Sequence, residues 1–233
     1  MDAERNLAQL FDTESSTLTY LLFDRPGGAG VLIDPVDRMI ERDLAEIARR
    51  GLTLAHVCET HVHADHVTSA ASLREMTGAS VIVPRDAGTR GADREVGDGD
   101  EVSFGAAQCI RVLATPGHTS AAASYLWNGC AFTGDTLFIN GCGRTDFQGG
   151  DAGALYDSIT QKLFALPDET IVYPAHDYNG RRSSMIGRER RENGRIANRS
   201  RDDFIALMGS LNLPMPKLIE VAVPANLRLG AVE

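Results

Sequence analysis

Thr60-His61-Val62-His63-Ala64-Asp65-His66 sets three histidines and a carboxylate into seven residues, directly after the apolar run Leu54–Cys58. That run reads as a short buried strand, so the cluster falls where a rigid scaffold hands over to a loop and can aim side chains at one point. If the strand continues through the cluster, His61 and His63 share a face. Asp65 and His66 then open the next predicted helix, His66–Thr77, where a carboxylate also gains from the helix dipole. The pattern recurs: His118 follows the predicted strand Cys109–Ala114, Asp135 follows Ala131–Thr133, and His176 follows Thr170–Tyr173. Five of the six histidines thus sit at strand–loop junctions, and His56, inside the apolar run, is expected to be structural. Taken singly, each histidine is more often structural, Asp135 reads as a turn residue and Asp65 as a helix cap. Taken together, histidine and carboxylate donors at strand ends suit zinc, iron or manganese.

Strands and helices mix on either side of the cluster. Thr17–Phe23 and Gly30–Ile33 are β-rich around Pro26-Gly27-Gly28, a hairpin-like signal. Asp37–Arg50 has helical spacing and stops at Gly51. Ser80–Val83, Glu101–Phe104 and Ala122–Trp127 read as further strands, Ala152–Ala165 and Asp202–Met208 as helices. Two sheets with helices outside fit an α+β fold, an αββα four-layer sandwich. The 233 residues suit a single domain spanning 1–233. Within it we expect a metal-binding core at 1–176 and a helical C-terminal extension and tail at 177–233 that contributes to a substrate site.

Composition narrows the function. A net charge of −9 argues against nucleic acid as the main partner, and 43% hydrophobic with 24% charged residues is ordinary for a globular protein. No run of about 18 apolar residues is present, so no membrane span is expected. The start, Met1-Asp2-Ala3-Glu4-Arg5, lacks the order of a signal peptide, which leads to the expectation of a cytoplasmic protein. Cys58, Cys109, Cys130 and Cys142 form no Cys-x-x-Cys pair; the first three read as small buried hydrophobes. Cys142 lies in a Gly-rich loop without an adjacent base, which favours packing over nucleophilic duty. From Arg181 to Arg201, eight arginines face Glu189 and Glu192, a local charge of +6. Such a stretch is a solvated, salt-bridged face or a docking site for a small anion.

The order His61-x-His63-x-Asp65-His66, Pro116-Gly117-His118-Thr119, Thr133-Gly134-Asp135-Thr136 resembles the metallo-β-lactamase superfamily. Within its glyoxalase II-like branch the chain is most similar to the persulfide dioxygenases. Three stretches carry that closer likeness: Gly141-Cys142-Gly143-Arg144-Thr145-Asp146-Phe147-Gln148, Tyr173-Pro174-Ala175-His176-Asp177-Tyr178, and the tail Leu211–Pro214, Pro216-Lys217 and Val223–Leu227. The likeness runs from about Thr17 to Gly230.

The resemblance implies a persulfide dioxygenase (sulfur dioxygenase) with one non-haem Fe(II) per chain, glutathione persulfide and O2 as substrates, and sulfite with glutathione as products. The implied iron ligands and catalytic residues are His61, His118 and Asp135, two histidines and a carboxylate that leave positions open for sulfur, oxygen and water. His63, Asp65, His66 and His176 then surround the iron and orient ligands and water. In the hydrolases of the superfamily the same residues complete a zinc or mixed dinuclear centre, so the ligand set alone does not separate one metal from two. Asp34 resembles a turn residue at the metal's edge, and Thr119 and Thr133 are expected to bond nearby loop backbone. Arg144, Tyr178, Arg195 and Asn226 are the candidates for holding the tripeptide, an arginine fork matching its carboxylates. The chain ends soon after the tail, so sulfur is expected to arrive as free persulfide or from a separate partner. A homodimer is also open. The competing readings are a dinuclear hydrolase of glutathione thioesters and a non-catalytic metal- or sulfur-binding module.

Overall fold

The computed structural model describes residues 6–231; the start Met1–Arg5, on which the expectation of no signal peptide rests, lies outside them. The chain forms two compact units: one takes the chain up to Val96, Glu101–Ile110 and the segment from Met215, the other Gly97–Asp100 and Arg111–Pro214.

In the first unit, β1 (Leu7–Phe11), β2 (Leu18–Phe23), β3 (Ala29–Ile33), β4 (Thr53–Cys58), β5 (Ser80–Pro84) and β6 (Arg94–Val96) form one sheet in chain order. The first three strands pair antiparallel, and the pairs from β3 to β6 are parallel. Parallel pairing needs crossovers, and two are the helices α1 (Ile40–Arg49) and α2 (Ala70–Thr77). β7 (Glu101–Phe104) follows. β2 is buried along its whole length, as an apolar run covered on both faces should be. Leu21, Leu32, Val57, Leu73 and Val81 are core residues of this unit.

The second unit carries the sheet order β12-β11-β10-β9-β8, built from β8 (Gln108–Ala114), β9 (Ala123–Trp127), β10 (Cys130–Gly134), β11 (Ile171–Pro174) and β12 (Ser184–Met185). Only β10 and β11 pair parallel there, and α3 (Ala152–Asp157) lies between them in the chain. Asp151 caps α3 by accepting the N–H of Ala154 at 2.7 Å. The helix then widens over Ser158–Leu163 into π turns. α4 (Ile186–Glu192) and α5 (Arg201–Gly209) follow, and α6 (Ile219–Asn226) returns to the first unit. Leu137, Leu155, Ile159, Val172 and Phe204 centre the second core.

The α+β class and all the predicted strands are present. One boundary differs in a way that matters: α2 starts at Ala70, not His66, so 61–69 is loop. Asp65 therefore receives nothing from a helix N-terminus. Among the described residues, no helix is long and apolar enough to cross a membrane.

Candidate metal centre

In the first unit the parallel pairing of β3 with β4 brings Asp34, just past β3, beside Thr60, just past β4. Asp34 holds φ +50, a left-handed value uncommon outside glycine and typical of functional turns. Its carboxylate accepts the N–H of Thr60 at 2.7 Å and the Thr60 hydroxyl at 2.8 Å. That hydroxyl proton being spent, Thr60 Oγ1 accepts from Nδ1–H of His61 at 2.9 Å. The Asp34–Thr60–His61 chain thus protonates Nδ1 and leaves the Nε2 lone pair as a donor. His66 is set the same way: Nδ1 faces Asp65 Oδ2 at 2.9 Å, and buried Nε2 has no hydrogen-bond partner among the described residues.

His63 is different. Its Nε2 lies 3.2 Å from Asp34 and 3.3 Å from Glu59 in a buried cluster. Burial disfavours the imidazolium, but the two facing carboxylates outweigh it and hold His63 well above the ordinary histidine value. Asn226 fixes the loop from below. Its amide N–H groups donate to the carbonyls of His63 at 2.9 Å and His66 at 2.8 Å, and its oxygen accepts the N–H of Thr68 at 2.9 Å.

In the second unit, β10 and β11 run parallel, so Asp135 and His176 leave the same ends of adjacent strands. His176 Nε2 lies 3.6 Å from Asp135 Oδ1, and His118 Nε2 lies 3.4 Å from Asp135 Oδ2. His118 Nδ1–H donates to the carbonyl of Arg144 at 2.7 Å; a carbonyl only accepts, so this histidine also presents Nε2. Gly143 donates to the Asp135 carbonyl at 2.7 Å. A Cβ there would stand 2.4 Å from that oxygen and 2.9 Å from His118 Nδ1, so only glycine fits. His63, Asp65 and His66 bring donor atoms within 4.8 Å of one another. Nitrogen lone pairs aimed outward and a buried carboxylate oxygen of Asp135 without a hydrogen-bond partner among the described residues are what an iron or zinc ion requires.

Three of the four substrate candidates are hydrogen-bonded within the protein, and Tyr178 stands exposed. Arg144 forks onto Asp146 with two 2.6 Å bonds and donates to the carbonyl of Pro214 at 2.6 Å. Arg195 donates to the carbonyl of Cys142 at 2.7 Å. Tyr178 is 69% exposed and stacks on His176. Asn226 is buried and occupied as described. Burial pushes the Cys142 thiol up to about 11 although Arg195 opposes it, in keeping with the packing role. Thr119 and Thr133 bond the carbonyls of Ala121 and Leu137, as expected. His56 bonds Ser103 on β7 and is structural. Arg188, Arg190 and Arg201 pair with surface acids, the solvated face anticipated for that stretch. Glu59, Glu189 and Asn193 are buried polar residues that sequence reading passed over. For Glu59 the signal was present, an acid four residues before His63.

A family model of the metallo-β-lactamase superfamily matches residues 12–176. The chain is 44% identical over 227 residues to the mitochondrial persulfide dioxygenase ETHE1 of Mus musculus, covering 96% of this chain and 88% of that protein. The crystal structure of ETHE1 from Myxococcus xanthus superposes with a TM-score of 0.94 at 52% identity, covering 97% of this chain and 99% of that one. The chain belongs to the metallo-β-lactamase superfamily, in its persulfide dioxygenase branch. The αββα fold expected from the sequence is that superfamily's fold. Likeness to the hydroxyacylglutathione hydrolase of Rhizobium meliloti is shorter, 41% identity over 174 residues, covering 72% of this chain and 65% of that one.

Proposed function

We propose that the protein is an iron-dependent dioxygenase that oxidises glutathione persulfide with O2, water completing the balance, to glutathione, sulfite and two protons. Near full-length likeness to persulfide dioxygenases supports the activity. One observation carries the metal assignment. His61 and His118 each direct Nδ1–H to an oxygen acceptor, Thr60 Oγ1 and the Arg144 carbonyl, whereas His63, a metal ligand in the two-metal hydrolases, has Nε2 between Asp34 and Glu59. Two carboxylates at 3.2 and 3.3 Å favour a proton kept on His63 Nε2 over a lone pair offered to a metal. This favours one Fe(II), held by His61, His118 and Asp135.

Iron in that set supplies coordination of the persulfide sulfur and dioxygen and the electron exchange between them. The chain's own residues do the rest. Asp34 and Thr60 keep His61 in the ligating tautomer, and the Arg144 carbonyl does so for His118. Asp65, His66 and His176 orient water and ligand. Arg144 and Tyr178 receive the tripeptide, Arg144 by exchanging Asp146 for a substrate carboxylate, and Arg195 supports the loop that carries Arg144. Four free cysteines agree with work in a reducing cytoplasm.

The alternative is thioester hydrolysis at two metals, and the unspent Nε2 of His66 favours it. One experiment separates the two. Protein from iron-replete cells is assayed for metal, for oxygen uptake with glutathione persulfide, and for cleavage of a glutathione thioester. About one iron per chain with uptake supports the dioxygenase; two metals with thioester cleavage overturns it.

A further inference from the structure

α4 and the turn after it carry an arrangement that lies outside the sequence motifs yet grips one of them, the Gly141–Arg144 stretch. Glu189 and Asn193 stand four residues apart and share a face. Both are buried, although Arg188, Arg190 and Arg191 around them are solvated. The Glu189 carboxylate accepts the N–H of Asn140 at 2.8 Å and Nδ2 of Asn193 at 2.8 Å, and also the hydroxyl of Ser184. Asn193 Nδ2 donates to the carbonyl of Gly141 at 3.0 Å, and Arg195 to the carbonyl of Cys142 at 2.7 Å. Three side chains therefore grip three consecutive residues, Asn140, Gly141 and Cys142. The next two residues act on metal donors: Gly143 N–H on Asp135, Arg144 carbonyl on His118. Within the loop, Phe138 N–H donates to the Gly141 carbonyl at 2.9 Å and Cys142 is buried, but Gly141 and Gly143 bring no side chain of their own, so the remaining anchors come from α4 and the turn after it. There is also no slack at its end, where a methyl group at Gly143 would clash with both donor residues.

We propose that Glu189, Asn193 and Arg195 are positioning residues that clamp the Asn140–Arg144 loop and thereby fix the tautomer of His118 and the seat of Asp135. The inference rests on the reading that these two residues hold iron. It gives the buried polar face of α4 a task that surface arginines do not share. Hydrogen bonds to the Glu189 carboxylate and from the Arg195 guanidinium are the stronger, charge-assisted kind, suited to holding a glycine loop still.

The test uses Asn193→Ala, Arg195→Met and Arg195→Lys in the full chain, with thermal melts to confirm folding. Anaerobic titration with ferrous iron should show affinity lowered about 10- to 100-fold in Asn193→Ala and Arg195→Met, the range for partners that orient metal ligands. Arg195→Lys, which keeps a donor toward Cys142, should recover most of the loss. The ferrous–nitrosyl spectrum should change in the weakened variants, and kcat should fall with KM for glutathione persulfide nearly constant. Nitrogen NMR of metal-free protein should find His118 protonated at Nδ1 in the parent and a mixture of tautomers in the variants. Folded Asn193→Ala or Arg195→Met protein with parental affinity and an unmixed tautomer overturns the clamp. A parent that binds no ferrous iron overturns the functional reading instead, and the tautomer measurement then still decides the clamp.

Discussion

The histidine loop, residues 60–66, and the glycine loop, residues 140–144, each fix Nδ1 of one histidine, His61 inside the first loop and His118 outside the second, yet they are braced from different parts of the chain. The histidine loop is held by charge and by distance. Asp34 and Glu59 face His63 in a buried cluster, and the amide of Asn226 reaches it from 160 residues further along the chain. The glycine loop is held by backbone hydrogen bonds from a helix and turn roughly fifty residues away. A loop dense in functional side chains has few left with which to anchor itself and borrows a remote one. A loop of glycines has none to spare and is gripped by its main chain. On the proposed reading, ligand geometry depends on residues that touch no ligand.

The comparison breaks outright if either histidine that the loops fix is not a ligand. His61→Ala and His118→Ala should each abolish iron retention, measured as metal per chain after desalting; stoichiometric iron in either variant removes that histidine from the centre. Asn226→Ala tests the remote brace. It leaves two buried carbonyls and one buried N–H without their partner, a cost of about 2–4 kcal/mol that denaturant unfolding should read, together with lowered iron occupancy. A loss below about 0.5 kcal/mol with full occupancy would sink the idea that the tail holds the histidine loop. Arg144→Ala sharpens the glycine-loop side. If Arg144 swaps Asp146 for substrate, KM for glutathione persulfide should rise about tenfold at little change in kcat. Lost stability with an unchanged KM would make it purely a brace to Asp146 and Pro214. The smallest effect concerns Cys142. With its thiol pushed up to about 11, a thiol reagent at pH 8 should leave it unmodified in folded protein while Cys109 reacts, being exposed and not buried as the sequence suggested, and labelling of Cys142 should grow only as pH approaches that value. Rapid modification at pH 8 argues against its packing role.

The donors were legible because strand ends and metal chemistry leave a compact signature: a histidine cluster after an apolar run, and single donors after three other strands. Most strands were legible for the same reason, being short β-rich runs between glycines and prolines. β1 was not, since Leu-Ala-Gln-Leu-Phe has no β-branched residue and is a strand through its pairing with β2. The start of α2 was misplaced because Asn226, distant in sequence, ties down Thr68 and keeps the loop from coiling. Asn226 itself was expected at the substrate wall, and nothing near it in sequence announces that its amide is spent on His63, His66 and Thr68. Glu189 and Asn193 hid among arginines, where charge counting sees a solvated surface and misses one buried helix face.

The bond from Asn226 to the His66 carbonyl also sets an order in time. The chain is made from its N-terminus, so His66 emerges 160 residues before the side chain that shapes its loop. At about 5–20 residues per second this is an interval of roughly 10–30 seconds. During synthesis the histidines are exposed without their final arrangement, and a fragment broken off before Asn226 keeps every histidine of the motif but not its shape. The shape of the histidine loop is thereby tied to chains that have been translated through α6.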